Sequence, residues 1–240
     1  MIASHRHAFV FVKTKKTAGT STEVHLSRYA GELDVISPIR LYDERARREL
    51  GFTGPQNFGI STLELAPGDI EDAARYRSLR EGPGVRFERL FYPHMPAWEI
   101  RERLGAALWE KYFTFAFERN PWDKTVSAFH FEKNRRGLDI TFEEFMHRTE
   151  WLPVNYKLYT HPDDAAQILV DRVYKYEDLS GALQDLAGRF GWPAGTGLPV
   201  HAKSEFRPPE SDYRSLYSAQ TRAHVAEIFR AEIELFGYEF

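Results

Sequence analysis

The sequence predicts an α/β fold of three layers, α/β/α, with a central and mainly parallel sheet covered by helices on both faces. Two observations carry this prediction. Apolar, β-rich runs at His7–Val12, Phe87–Tyr92, Tyr112–Phe117 and Arg172–Tyr176 alternate with segments of helical spacing. Strands that alternate with helices build parallel sheets with both faces covered. The 240 residues also suit one domain, residues 1–240, at roughly 100–200 residues per domain.

Taken in order, His7–Val12 reads as a buried strand that stops at the polar, Gly-containing stretch Lys13–Ser21. Ser21–Tyr29 follows with a weak helical pattern, Val24 against Arg28 and Leu26 against Tyr29. Pro38, Pro55, Pro67 and Pro83, with Gly51, Gly54, Gly59 and Gly68, then interrupt the periodicity, and only Leu41–Leu50 reads as helical. Residues 31–86 are therefore expected to form irregular, substrate-facing loops. After a second strand at Phe87–Tyr92, Pro96 takes a first helical position, Ile100 and Leu104 keep the spacing, and Gly105 suits the terminus. The third strand, Tyr112–Phe117, leads through Asn120-Pro121 into a helix with Val126 and Phe129 on one face. The fourth, Arg172–Tyr176, precedes a helix whose stripe is Leu179, Leu183, Leu186 and Phe190, closed by Gly191 and Pro193. A final helix from about Ser218 carries Val225, Ile228, Phe229, Ile233 and Phe236.

Composition excludes several classes. With 42% hydrophobic and 28% charged residues the chain is globular rather than disordered. Lys+Arg 32 against Asp+Glu 35 gives a net charge of −3, so no global positive field holds nucleic acid and any anion site must be local. The absence of Cys removes disulfides, thiolate metal sites and Cys nucleophiles together. The apolar run Ala8–Val12 is too short for a signal-peptide core or a membrane span. A cytoplasmic chain without a membrane span is expected.

Two segments carry chemistry. A strand that ends in a Lys-rich, Gly-containing loop before a helix is a way to bind phosphate, through helix N-terminal N–H groups and a Lys ammonium. Lys16 precedes Gly19 rather than following it, so the pattern G-x-x-x-x-G-K-[ST] is absent. The alternative is a solvated basic turn with a helix cap at Thr20 or Ser21. The second segment is Phe117-Glu118-Arg119-Asn120-Pro121-Trp122-Asp123-Lys124-Thr125-Val126-Ser127. Arg119 falls at the carboxyl end of the third strand, where α/β sheets bind ligands, and Ser127 lies two turns into the next helix. An Arg fork and a Ser hydroxyl can converge on one phosphate, unless Arg119 pairs with Glu118 or Asp123 and Ser127 bonds back to its own helix.

Together, Lys16-Thr17-Ala18-Gly19-Thr20-Ser21 and Arg119-Asn120-Pro121-Trp122-Asp123-Lys124 with Ser127 resemble the 5′-phosphosulfate loop and the 3′-phosphate segment of the sulfotransferase superfamily. Tyr174-Lys175-Tyr176-Glu177-Asp178-Leu179 and the C-terminal Phe236-Gly237-Tyr238-Glu239-Phe240 are similar to it as well, so the resemblance spans nearly the whole chain. It is closest to the branch with the carbohydrate sulfotransferases and many bacterial relatives. Lys15 stands where the family has Pro, and Ala18 where it has Gly. The resemblance implies a P-loop, nucleotide-kinase-like form of the α/β fold and a donor, 3′-phosphoadenosine 5′-phosphosulfate. Lys16, Thr17, Ala18, Gly19, Thr20, Ser21, Arg119 and Ser127 would bind the donor, with no metal. The acceptor would be a hydroxyl of a carbohydrate or small molecule, reached through the irregular loops. Lys16 would stabilise the leaving oxygen. A phosphoryl-transfer P-loop enzyme and a catalytically silent nucleotide-binding module are the alternatives.

The attacking hydroxyl needs a base, which favours His or a perturbed carboxylate. His94, in Tyr92-Pro93-His94-Met95-Pro96, is the first choice, since some carbohydrate sulfotransferases place a His base in the comparable stretch. Glu23 and His25 compete with it, whereas His161, His201 and His224 read as surface residues. Lys203-Ser204-x-x-Arg207 weakly resembles a C-terminal cofactor or acceptor loop of the family. Arg45, Arg47 and Arg48, interleaved with Asp43, Glu44 and Glu49, read as a solvated helix face, and Trp122 as a buried aromatic.

Overall fold

Side chains alternate across a strand, and here the alternation sorts aromatic residues from small aliphatic ones. The computed structural model describes residues 1–59, 71–74, 77, 90–193, 195, 197–199 and 212–240. Its strands are β1 (Ile2–Ser4), β2 (Phe9–Val12), β3 (Val35–Ile36), β4 (Phe113–Glu118), β5 (Thr160–His161), β6 (Asp164–Ile168) and β7 (Arg172–Lys175). The helices are α1 (Gly19–Ser27), α2 (Leu41–Glu49), α3 (Ala97–Leu104), α4 (Ala106–Trp109), α5 (Pro121–Arg136), α6 (Phe142–Met146), α7 (Tyr156–Tyr159), α8 (Leu179–Phe190), α9 (Ala219–Ile228) and α10 (Arg230–Phe236). Phe9, Phe11, Phe115, Phe117 and Tyr174 pack on one face of the sheet with Leu186 and Trp192. Val10, Val12 and Ala116 face the other way, onto Met95, Ala97, Ile100 and Tyr159.

The main sheet has the order β3-β1-β2-β4-β7. β2 runs parallel to β4, and β4 to β7, while β1 is antiparallel to both β2 and β3. Only β1 is therefore reversed, and the sheet is mainly parallel. Val12 lies opposite Ala116 and Glu118 opposite Lys175, so the loops after β2, β4 and β7 leave from one edge. A third cluster, with Trp122, Val126, Phe129, Phe145, Val225 and Phe229, joins α5 to α6 and α9.

Most expected elements are present, with instructive differences. α1 gave a weak pattern because all of Gly19–Ser27 is buried, and a helix covered on every side has no polar face. α8 ends where Gly191 adopts φ 68°, a left-handed conformation that glycine takes without a Cβ penalty. The expected second strand is corrected in its described part: Leu90 and Phe91 donate backbone N–H groups to the Phe58 carbonyl, both at 3.0 Å, and form no strand. Part of the stretch expected to be irregular is sheet instead, since β3 lies at the edge and Ile36 bridges Gln56. The single last helix is broken at Phe229 (φ −101°, ψ 22°), with no Gly or Pro to announce it. β1 and the β5–β6 hairpin were not anticipated. Among the described residues, no helix is long and apolar enough to cross a membrane.

Candidate active site

Between β2 and α1 the chain passes through two left-handed non-glycine residues, Lys16 at φ 61° and Ala18 at φ 57°. Each such residue costs about 1–2 kcal/mol, so the loop holds only because its surroundings fix it. The Thr14 hydroxyl donates to the Phe117 carbonyl at 2.6 Å and lies 2.7 Å from the Thr17 hydroxyl. The Asn155 amide grips Lys15, accepting its N–H at 2.8 Å and donating to its carbonyl at 3.0 Å. Gly19 is required by contact: a Cβ there would lie 2.9 Å from Lys13 Cγ and 3.0 Å from the Thr14 carbonyl oxygen. Ala18 occupies the N-cap of α1 without a side-chain cap, so Thr20 and Ser21 lie in the first turn rather than capping it. An α-helix leaves its first N–H groups outside its own ladder, which makes this end suited to an anion.

Arg119 leaves the end of β4, and Asn120 caps α5 by accepting from the Trp122 and Asp123 N–H groups at 3.1 and 3.4 Å. Asp123 Oδ2 takes two guanidinium nitrogens of Arg119 at 2.7 and 2.6 Å, and the Tyr176 ring lies 4.2 Å beneath the guanidinium. The remaining terminal nitrogen donates to the Lys16 carbonyl at 3.2 Å. The two expected anion segments thus meet directly. Arg119 is also paired with Asp123, as its structural alternative foresaw. Ser127 is half-buried one turn before Phe131, on the same face of α5. The Lys16 ammonium rests 4.2 Å above the Phe131 ring, which Arg40 approaches at 4.7 Å and Arg135 at 5.8 Å.

Beneath the site lies a buried ionic network. The Lys124 ammonium is 2.7 Å from Glu118 and 3.5 Å from Glu232, and all three side chains are fully buried. Glu118 also accepts from the Tyr159 hydroxyl at 2.8 Å and from Asn155 Nδ2 at 3.3 Å. Glu232 Oε1 accepts the Asn155 N–H at 2.9 Å, and burial raises the Glu232 carboxyl above its ordinary 4.5.

His94 sits at φ 59°, with Nδ1 3.1 Å from the Lys13 carbonyl oxygen. A carbonyl only accepts, so Nδ1 carries the proton and neutral His94 keeps Nε2 as its basic nitrogen. Burial, then the nearby charges of Lys13 and the Met1 ammonium, hold His94 well below the usual 6.5. Glu23 is corrected as a base candidate, because Lys13 and the Met1 ammonium both pair with it in full burial. Burial alone would raise its carboxyl, but Lys13, the Met1 ammonium and Arg47 outweigh that and hold it at about 2. His25 is buried, and its ring packs edge-on to Tyr29 at 5.7 Å. Burial lowers His25 below 6.5, with Arg28 adding to the effect.

Arg47 departs from the solvated face expected of it, since it is fully buried against Glu44 at 3.2 Å. Trp122 is buried as expected, its indole N–H on the Arg222 carbonyl at 3.1 Å. His201, Lys203, Ser204 and Arg207 lie outside the described residues. Sequence reasoning missed Asn155, Glu232 and Phe131. None belongs to a local pattern, and only the fold brings them to the loop.

Among known proteins, the model described as "Sulfotransferase family" matches residues 1–239. An uncharacterized protein of Archaeoglobus fulgidus is 34% identical over 114 residues, which is 46% of this chain and 94% of that protein. Two solved structures are similar at low identity. The mouse sulfotransferase SULT7A1 complexed with PAP is 15% identical at a TM-score of 0.47, covering 96% of this chain and 86% of its own. A sulfotransferase from Alicyclobacillus acidocaldarius is 14% identical at a TM-score of 0.42, covering 98% and 97%.

Proposed function

The chain belongs to the sulfotransferase family, and on that premise we propose that it moves a sulfuryl group from 3′-phosphoadenosine 5′-phosphosulfate to an acceptor hydroxyl of a carbohydrate or small molecule. The observation that carries this reading is the hydrogen bond from Arg119 to the Lys16 carbonyl at 3.2 Å, which puts both anion segments at one sheet edge. The loop fits a phosphate-bearing donor, since Gly19 lets the backbone approach closely and α1 begins there.

In this mechanism the donor supplies an electrophilic sulfur and a phosphate leaving group. The acceptor oxygen forms a new O–S bond as the bridging S–O bond breaks in line. His94 Nε2 takes the hydroxyl proton, while the Lys13 carbonyl holds the Nδ1–H tautomer. Lys16 and the α1 N-terminus stabilise the charge that gathers on the departing oxygen. Arg119, aimed by Asp123 and Tyr176, and Ser127 hold the 3′-phosphate.

Titration with adenosine 3′,5′-bisphosphate in EDTA tests the reading and should show binding without divalent metal. Labelled donor should then transfer sulfate to a hydroxyl acceptor from a panel of polysaccharides and small molecules. No binding in EDTA, together with tight binding of ATP and Mg²⁺, would favour a phosphoryl-transfer enzyme instead.

A further inference from the structure

We propose that Asn155, which lies outside both segments that resemble the family's donor-binding motifs, is a positioning residue that sets the phosphate loop for the donor's 5′ end. This role rests on the donor reading above. Its basis is a reciprocal pair: Oδ1 accepts the Lys15 N–H at 2.8 Å, and Nδ2 donates to the Lys15 carbonyl at 3.0 Å. A carbonyl can only accept and an N–H only donate, so the two bonds fix the amide's orientation. They also fix both peptide groups flanking Lys15, immediately before the left-handed backbone of Lys16.

Asn155 is itself held from behind. Its backbone N–H meets Glu232 at 2.9 Å, and its Nδ2 also reaches Glu118 at 3.3 Å. Both carboxylates converge on Lys124, which stands on the same helix as Asp123 and Ser127. Asn155 is fully buried, so water cannot replace its amide at Lys15 without opening the structure. The segment that carries Arg119 and the loop that carries Lys16 are thus joined through one side chain. Asn155 touches neither donor nor acceptor in this scheme. It acts through Lys15, and the consequence is the aim of the Lys16 backbone and of the N–H groups that follow.

The test uses the full chain, two nucleotides and one amide proton. Asn155→Ala should weaken adenosine 3′,5′-bisphosphate about tenfold, the scale of one to two lost hydrogen bonds, and leave adenosine 3′-monophosphate unchanged. In a Lys16→Ala background the same substitution should cost less, because both act through one loop. Equal losses for the two nucleotides, or full additivity with Lys16→Ala, would overturn the role and make Asn155 a general stabiliser. Should the Ala variant not fold, Asn155→Asp keeps the volume and the acceptor but sets an oxygen against the Lys15 carbonyl. It should reproduce the selective loss. Hydrogen exchange on the unmodified protein needs no variant: the Lys15 amide should be strongly protected, and fast exchange there would refute the grip itself. A wild-type chain that binds neither nucleotide would overturn the donor reading and this role with it, whereas wild-type binding with unselective losses overturns this role alone.

Discussion

Replacing Lys124 with Met should expose how much the buried network contributes. Lys124 lies 2.7 Å from Glu118 and 3.5 Å from Glu232, and none of the three side chains has solvent access. Met has similar length and leaves no large cavity, so the effect isolates the charge. Removing one partner of a buried ion pair costs about 3–5 kcal/mol, because the other charge stays buried without compensation. For a chain of this size, about 2–4 °C of Tm per kcal/mol turns this into a fall of about 6–20 °C. The pH dependence gives a second, independent arm. Burial already raises Glu232 above 4.5, with the Glu118 charge adding to the rise and Lys124 opposing it. Without Lys124 the opposing charge is gone. Between 4.5 and the raised value, the folded variant then binds a proton that the unfolded chain does not, so its stability falls as pH rises through that window. Thermal melts of both proteins at pH 5 and pH 8 should therefore show the smaller deficit at pH 5. A deficit under 2 °C at pH 8, or one equal at the two pH values, would refute the network as described.

Three further outcomes follow from the site. His94 is neutral well below pH 6.5, so the acid limb of turnover that belongs to it should lie well below 6.5; a limb at 6.5 or above that disappears in His94→Ala would contradict this. The same depression means that unfolding takes up a proton below pH 6.5, and His94's contribution to stability, present above 6.5, is lost as pH falls. Gly19→Ala should cost about 1–3 kcal/mol by crowding Lys13 Cγ and the Thr14 carbonyl, measured by urea denaturation, and an unchanged midpoint would mean that the loop yields freely. Ala18→Gly should raise stability by up to about 1.6 kcal/mol, since a left-handed Ala costs about 1–2 kcal/mol and glycine's looser unfolded chain returns about 0.4–1 kcal/mol; a destabilised variant in the same assay would show that Ala18 is unstrained.

Local signals made the fold readable. Phe9–Val12 and Phe113–Glu118 are apolar throughout or nearly so, as strands buried on both faces must be, and Asn120-Pro121 and Gly191 punctuate α5 and α8 through cap chemistry that acts within a few residues. The two segments expected to bind an anion stood out for the same reason: each is a contiguous stretch at a strand–helix junction. What escaped was whatever depends on distance in sequence. Asn155 meets Lys15 across 140 positions, and Glu232 meets Asn155 across 77. β1 is short, and β3 has two residues, too few for any periodicity to register. Glu23 competed as a carboxylate base only through the family resemblance; the packing of Lys13 against it shows that its carboxylate is spent on an ion pair.

The placement of two carboxylates under the loop proposed to bind the donor needs a physical reason, because Glu118 and Glu232 would by themselves repel a phosphate. Lys124 answers part of it by neutralising one charge at close range. Glu232 Oε2 is buried without a hydrogen-bond partner among the described residues, while Glu232 Oε1 accepts from the Asn155 N–H, and Glu118 also accepts from Arg119 N–H, Tyr159 O–H and Asn155 Nδ2. These are donors that hold the backbone rather than the ligand. A strained loop must be over-determined by its surroundings to persist, and acceptors buried below it can anchor its supports without competing with the anion for the cations above. Lys16 and Arg119 lie on the upper side, against Phe131 and Tyr176. Rings lend these cations a face, and Arg119 is in addition paired with Asp123. The division of labour follows from the chemistry of each group: the buried carboxylates fix geometry, while aromatic rings and Asp123 orient the cations assigned to the donor under the proposed function. Under the proposed function, a donor entering from the sheet edge would meet a loop whose conformational cost was met during folding, so its binding energy would go to contacts rather than to ordering the backbone.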